Sequence, residues 1–327
     1  MDCLHNYNQV QIVGGAGTGK TFIGIKKAMR DSINGKKVLF VCCNSELSAF
    51  VASKIPTNYT IETCTYEELM LKLIGKKYYE LPVNRNGNKS CFELVSNLDY
   101  NKKYDSIIVD EAQDFDLDMG LSIRSLLKND NKSSLYVFYD KNQNVFEMDY
   151  ENAFAIDAPP YVLRYNIRNT GSIYNCAVER TNLGSDTVAN NIVGVAPEVH
   201  CFTKNSQTIK TLTNIVNRLV NKEYVSAKSI VIVSDVAFEN SVLANEQKIG
   251  AFDINFGPYN SLKETEILFK TAEEFKGLEA NIVIYITHDF ENLPASTAKL
   301  RKEYVAITRA RYYLYILNTK CKAKIGE

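Results

Sequence analysis

The chain has no excess charge of either sign: 38 Lys and Arg residues balance 38 Asp and Glu across 327 positions. A global field that would draw the protein onto a polyanion is excluded, so any nucleic-acid affinity must reside in a local groove. No apolar run reaches the roughly 18 residues that a membrane helix needs. The N-terminal MDCLHNYNQVQ also lacks the basic-then-apolar pattern of a secretion signal. Eight cysteines occur without a CxxC pair and without a histidine placed among them at metal-ligand spacing. They read as reduced, mostly buried thiols, and the whole reads as a soluble, cytoplasmic protein with no membrane partner. Low-complexity tracts and internal sequence repeats are likewise missing.

What is present is enough apolar material, 45% of residues, for two cores of ordinary size. Short β-rich runs alternate with helix-like segments: VQIVGG, KVLFVCC from 37, YTIET from 59, DSIIVDE from 105 and SLYVFYD from 134. Continuous apolar strands between helices imply a parallel sheet covered on both faces, hence an α/β fold. Pro159-Pro160 continues neither a helix nor a central strand and reads as a connection. The expected domains are therefore 1–160 and 161–327. The second holds helices near 168–181 and 206–221 and the strands SIVIVS, EILFKTA, NIVIYITH and YYLYIL.

The segment GGAGTGKT, residues 14–21, satisfies G-x-x-x-x-G-K-[ST] at every position. Gly14, Gly15, Ala16, Gly17, Thr18 and Gly19 form a loop whose backbone N–H groups turn inward on phosphate. Lys20 is placed for the β and γ oxygens, and the Thr21 hydroxyl for Mg²⁺. An apolar strand precedes the loop, and a helix pattern ending near Gly35 follows it. At the end of a second apolar strand stands IIVDEAQDF, residues 107–115. Asp110 is placed to hold Mg²⁺, and Glu111 to orient or deprotonate a water attacking the γ-phosphate of ATP.

Asp110-Glu111-Ala112-Gln113 spells DEAQ, and here the chain resembles the UvrD-like superfamily 1 helicases, whose second motif is DExQ. VFYDKNQNVF, 137–146, is similar to motif III, with Asp140 and Gln143 at the γ-phosphate-sensing places. LRYNIRNT, 163–170, resembles motif IV and puts Arg168 on an arginine that reaches the γ-phosphate. TAEEFKGLEANIVIY, 271–285, resembles motif V, which implies Gly277 and Glu279 near the nucleotide and Thr271 near nucleic acid. YVAITRAR, 304–311, resembles motif VI and makes Arg309 the second arginine finger. Asn44 and Thr65 fall where motifs Ia and Ib contact the phosphodiester backbone. FYDKNQ and NIRNT are most similar in wording to the helicase half of NERD-type nuclease-helicase proteins. The resemblance spans about residues 10–318. It implies two tandem RecA-like domains with parallel sheets, ATP in the cleft between them, and single-stranded DNA or RNA as partner.

The pattern also departs from the family. Only 103 positions separate Arg168 from Thr271 (271 − 168), so accessory insertion domains are expected to be largely absent. The chain starts about ten residues before the P-loop, without the upstream glutamine motif that reads adenine; Asn6, Asn8 and Gln9 are the substitutes on offer. Ile167 stands where an aromatic often stacks on the base, and Glu273 where a nucleic-acid-facing histidine is usual, a carboxylate that would repel phosphate. Tyr312, Tyr313 and Tyr315 read as strand core and sheet face, and Lys320, Lys322 and Lys324 as solvated. Two functions follow as expectations: an ATP-driven motor on single strands, and an ATPase switch that gates a partner protein such as a nuclease.

Overall fold

The computed structural model describes residues 7–81, 91–148, 150, 152–288 and 296–319. The chain divides into two compact units, Met1–Arg164 and Tyr165–Glu327.

The first unit alternates strands and helices: Gln9–Gly14 (β1), Lys20–Ile33 (α1), Val38–Cys42 (β2), Ser45–Lys54 (α2), Ile61–Thr65 (β3), Tyr66–Ile74 (α3), Cys91–Ser96 (α4), Ser106–Val109 (β4), Leu117–Ser125 (α5), Ser134–Tyr139 (β5) and Tyr161–Leu163 (β6). The strands make one sheet in the order β3-β2-β4-β5-β1-β6, and every pairing is parallel. β2 and β4 are buried along their whole length, which explains the apolar runs at 38–42 and 107–109: both faces of the sheet are covered there. On one face, Ile25 and Ala28 of α1 pack with Phe40, Ile108 and Phe138. On the other, Leu69 and Met70 of α3, Val95 of α4 and Ile123 of α5 cover Val41, Ile107 and Val109. Each such large apolar side chain contributes about 1.5–3 kcal/mol when fully buried.

Two features of this sheet position the site. β5 lies between β1 and β4 (Ile12 pairs with Phe138, and Ile108 with Tyr136), so three strand ends stand side by side. Pro159-Pro160 is also not the end of the sheet. Tyr161–Leu163 follows it and adds β6 to the edge of β1, with Gly14 opposite Leu163. Both prolines precede the strand and owe the ladder no N–H.

The second unit contains Gly171–Thr181 (α6), Glu198–Cys201 (β7), Asn205–Asn217 (α7), Ile230–Ser234 (β8), Lys248–Ile249 (β9), Phe252–Asn255 (β10), Glu266–Thr271 (β11), Ala280–His288 (β12), Thr297–Thr308 (α8) and Ala310–Thr319 (β13). Its sheet runs β7-β13-β12-β8-β11-β10-β9, parallel except for the antiparallel β9–β10 pair. Leu212 and Val216 of α7 pack on Ile230, Ile232, Ile282 and Ile284. α6 and α8 join through the Tyr174 and Tyr304 hydroxyls, 3.4 Å apart, and through Arg180 and Glu303, 2.6 Å apart.

The α/β class with parallel sheets is as expected. Among the described residues no helix is long and apolar enough to cross a membrane. Among the described cysteines Cys201 is exposed, whereas Cys42, Cys64 and Cys91 are buried. Tyr315 is buried and Tyr312 and Tyr313 are exposed on β13. Asn6, Cys3, Cys321 and the lysines at 320, 322 and 324 lie outside the described residues.

Candidate functional site

A parallel sheet delivers its functional side chains at the carboxyl ends of its strands, where the chain turns toward the following helix. In the first unit the turn after β1 is the glycine-rich loop. Gly17 and Gly19 adopt φ of 72° and 89°, the left-handed region that glycine enters at little steric cost. Gly14 is required for space: an added Cβ would lie 2.6 Å from Thr18 Oγ1 and 2.9 Å from Leu163 Cβ. Gly14→Ala is therefore expected to destabilise the first unit by about 1–3 kcal/mol through overpacking. Equilibrium urea unfolding checks this, and an unshifted midpoint would count against it.

Inside the loop the Lys20 ammonium donates to the carbonyls of Gly14 (2.8 Å) and Gly15 (3.0 Å), and lies 3.8 Å from Asp140 Oδ2. Thr18 Oγ1 donates to the Gly15 carbonyl at 2.9 Å. A buried ammonium this close to the P-loop backbone is a fixed positive charge at the start of α1, where backbone N–H groups already favour an anion.

Asp110 follows β4 and is fully buried. Burial, then repulsion from Glu111, pushes its carboxyl up to about 6, against the stabilising hydrogen bond from the Thr21 hydroxyl and the charge of Lys20. Asp110 Oδ1 accepts from the Glu111 N–H at 3.1 Å, while Oδ2 is buried and, among the described residues, has no hydrogen-bond partner. An unsatisfied buried carboxylate oxygen costs free energy unless something compensates it. The Thr21 hydroxyl and a carboxylate form the oxygen donor set that Mg²⁺ prefers, so these residues fit the ion. Among the described residues no cluster of three or more His, Cys, Asp or Glu side chains forms an independent metal site.

Glu111 has φ of 52°, a left-handed conformation that costs a non-glycine residue on the order of 1–3 kcal/mol and is concentrated at functional positions. Its side chain is buried, and its Oε2 accepts from Gln113 Nε2 at 2.5 Å. Gln113 Oε1 accepts in turn from the Asp140 N–H at 3.0 Å, and Gln143 Nε2 donates to Asp140 Oδ2 at 2.6 Å. One amide thus spans from the end of β4 to the end of β5 and fixes the Glu111 carboxylate. In the sequence Gln113 carries no role beyond the motif, and its one signal there is a glutamine two residues after Glu111. Desolvation also raises Asp140, opposed by Lys20 and Gln143.

Other expected residues have local duties. Asn44 caps α2, its side chain accepting from the Leu47 N–H at 3.1 Å. Thr65 caps α3 in a reciprocal box with Glu68, an arrangement worth about 1 kcal/mol. Asn8 Nδ2 donates to the Asn131 carbonyl at 2.8 Å, and Gln9 Nε2 bonds to the Asp130 carbonyl. Both sit at the amino-terminal end of β1, the end opposite the P-loop.

The second unit draws its motif residues together by its own bonds. Asn166 Oδ1 accepts from the N–H groups of Arg168 and Asn169. Asn169 Nδ2 donates to the carbonyls of Thr308 (2.9 Å) and Ala310 (2.5 Å), tying this turn to the end of α8. Arg168 Nε meets Glu279 Oε2 at 2.6 Å, and Arg311 Nη1 lies 3.6 Å from Glu279 Oε1. Arg309 is 1% exposed; its guanidinium donates to the carbonyls of Val305 and Leu278 (3.1 Å each) and to Thr308 Oγ1 (3.2 Å). Gly277 has φ of 82° just before Leu278. Thr271 Oγ1 exchanges hydrogen bonds with Glu274. Glu273 forms an ion pair with Lys302, so its charge is not the bare repulsive carboxylate that the sequence suggested. Ile167 is 68% exposed.

Residues 4–148 match the AAA domain family AAA_19, less than half of the chain. No curated protein matches. Among solved structures the chain is similar to the arterivirus nonstructural protein 10 helicase at 12% identity, covering 94% of this chain and 59% of that one, with a TM-score of 0.46. It is similar to the arterivirus helicase in complex with DNA at 11% identity, over 95% and 60%, with a TM-score of 0.47. For the PRRSV helicase the identity is 12%, over 95% and 52%, with a TM-score of 0.47. The chain spans less than two thirds of the length of each.

Proposed function

We propose that the chain is a Mg²⁺-dependent ATPase of the superfamily 1 helicase kind, which couples hydrolysis to movement along, or remodelling of, single-stranded nucleic acid. One observation carries the hydrolytic part. The ends of three adjacent strands present a P-loop lysine, a buried carboxylate with an unsatisfied oxygen beside the Thr21 hydroxyl, and a second carboxylate fixed by Gln113.

In this reading the N–H groups of residues 14–19 and the Lys20 ammonium bind the β and γ phosphates. Thr21 and Asp110 hold Mg²⁺, which when bound neutralises phosphate charge. Glu111 accepts the proton of the attacking water; Gln113 and Asp140 hold the carboxylate in place while it does so. Asp140 and Gln143 keep the sensing role, and Arg168 and Arg309 the γ-phosphate role, that the motifs imply. Asp110→Asn removes the charge of one of the two proposed metal donors and leaves a weaker amide oxygen in its place. The Mg²⁺ concentration for half-maximal turnover should rise at least about tenfold; an unchanged Mg²⁺ requirement would place the metal elsewhere.

The nucleic-acid part rests on the order of the motifs. Phosphate release in the presence and absence of a single-stranded oligonucleotide tests it, with acceleration expected. The local engagement of Asn44, Thr65 and Thr271 favours a second reading, an ATPase switch that gates a partner protein such as a nuclease. Under that reading the oligonucleotide leaves the rate unchanged and the partner alone raises it.

A further inference from the structure

The turn that carries Arg168 is fixed within the second unit by its backbone. Asn166 Oδ1 accepts from the N–H groups of Arg168 and Asn169, and the Thr170 N–H donates to the Arg311 carbonyl at 3.3 Å. Glu279 is held in the same frame, because the next residue, Ala280, donates its N–H to the Arg309 carbonyl at 3.0 Å. Three segments distant along the chain therefore set Arg168, Glu279 and Arg311 side by side. Their backbones are tied, which leaves the side chains as the parts able to move.

The charges in this cluster are unevenly shared. Arg168 Nε meets Glu279 Oε2 at 2.6 Å, a short charge-assisted contact. The other carboxylate oxygen, Oε1, lies 3.6 Å from Arg311 Nη1, near enough for charge attraction and too far for a good hydrogen bond. Arg311 Nη2 donates to the Tyr312 hydroxyl at 3.1 Å, and its Nε is buried with no hydrogen-bond partner among the described residues. One carboxylate serves two guanidiniums, the first closely and the second loosely. Arg168 can leave without stranding the carboxylate, because a second cation stands beside it.

We propose that Glu279 is a latch that holds the Arg168 guanidinium until a γ-phosphate competes for it, and that Arg311 closes on the carboxylate when Arg168 leaves. This rests on the γ-phosphate role given to Arg168 above. A phosphate group carries more charge than a carboxylate and suits the guanidinium fork, so ATP opens the latch. ADP has no γ-phosphate and leaves it shut. After hydrolysis the carboxylate recaptures Arg168 and favours phosphate release. Glu279 acts through Arg168 and is a positioning residue.

Equilibrium binding of a non-hydrolysable ATP analogue and of ADP, both with Mg²⁺, tests this on the full chain as wild type, Glu279→Gln, Arg168→Ala and the double variant. Glu279→Gln removes the charge and nearly keeps the shape. It should bind the analogue about 3- to 10-fold more tightly, the range for a partly exposed charge pair, and ADP with unchanged affinity. The gain should vanish when Arg168 is Ala, as a double-mutant cycle would show. Arg311→Gln, which removes the cation that receives the carboxylate, should weaken the analogue alone, and only while Glu279 is present. Unchanged or weaker binding of the analogue by Glu279→Gln would overturn the latch. Equal losses for analogue and ADP would make Glu279 a direct nucleotide contact, and a gain that persists without Arg168 would be general relief of repulsion; either overturns it as well. Wild type that binds neither nucleotide would refute the reading of the nucleotide site and the latch with it. Arg168→Ala that weakens the analogue and spares ADP keeps that reading standing even where Glu279→Gln overturns the latch.

Discussion

Replacing Glu111 with Gln is expected to lower ATP turnover by about 10²–10⁴-fold, the usual contribution of a positioned general base, while ATP still binds. The substitution removes the proton acceptor and nearly preserves shape, leaving the loop carbonyls, Lys20 and Asp110 undisturbed. The reasons for choosing Glu111 are geometric. Its backbone is held in the left-handed region, and its carboxylate takes a 2.5 Å hydrogen bond from Gln113, which is itself anchored on the Asp140 N–H. A strained, buried and tethered carboxylate is poorly explained as a solvated turn. Single-turnover kinetics with tight-binding measurements separate the two effects, and turnover at the wild-type rate would remove the base assignment.

Lys20→Ala should act on the other half of the chemistry. Losing a charge-assisted contact to phosphate costs about 1.5–3 kcal/mol, so ATP affinity should fall by about 10- to 100-fold, with turnover falling as well. The Lys20 ammonium also neutralises its surroundings: it stabilises the charged forms of both Asp110 and Asp140. Without it, both carboxylates are pushed further upward. Isothermal titration with ATP and ADP measures the loss; equal affinities for wild type and Lys20→Ala would show that the lysine has a structural role only.

Much of this site is legible in the residues because it is local. A phosphate loop is one contiguous segment whose glycines, lysine and hydroxyl answer one steric and electrostatic demand. Asp110 and Glu111 follow one apolar strand. What escapes a sequence reading depends on pairs distant along the chain. The bond from Gln113 to the Asp140 backbone, the Glu273–Lys302 pair and the bridge from Asn169 to residues 308 and 310 are of this kind. Short strands escape for another reason: β6, with three residues, and β9, with two, are too brief for periodicity to register, and β6 sits directly after two prolines. Asn44 and Thr65 show the reverse difficulty. Their types and positions agree with a motif and equally with helix N-caps, and the structure displays the caps.

Phosphate release from ATP by the full chain tests most directly whether the ends of β1, β4 and β5 hydrolyse a Mg²⁺-bound nucleoside triphosphate. Steady release is expected in Mg²⁺, none when EDTA removes the ion, and none above background for Glu111→Gln in Mg²⁺. An absence of release in Mg²⁺, or release that survives both EDTA and Glu111→Gln, would contradict hydrolysis at these strand ends.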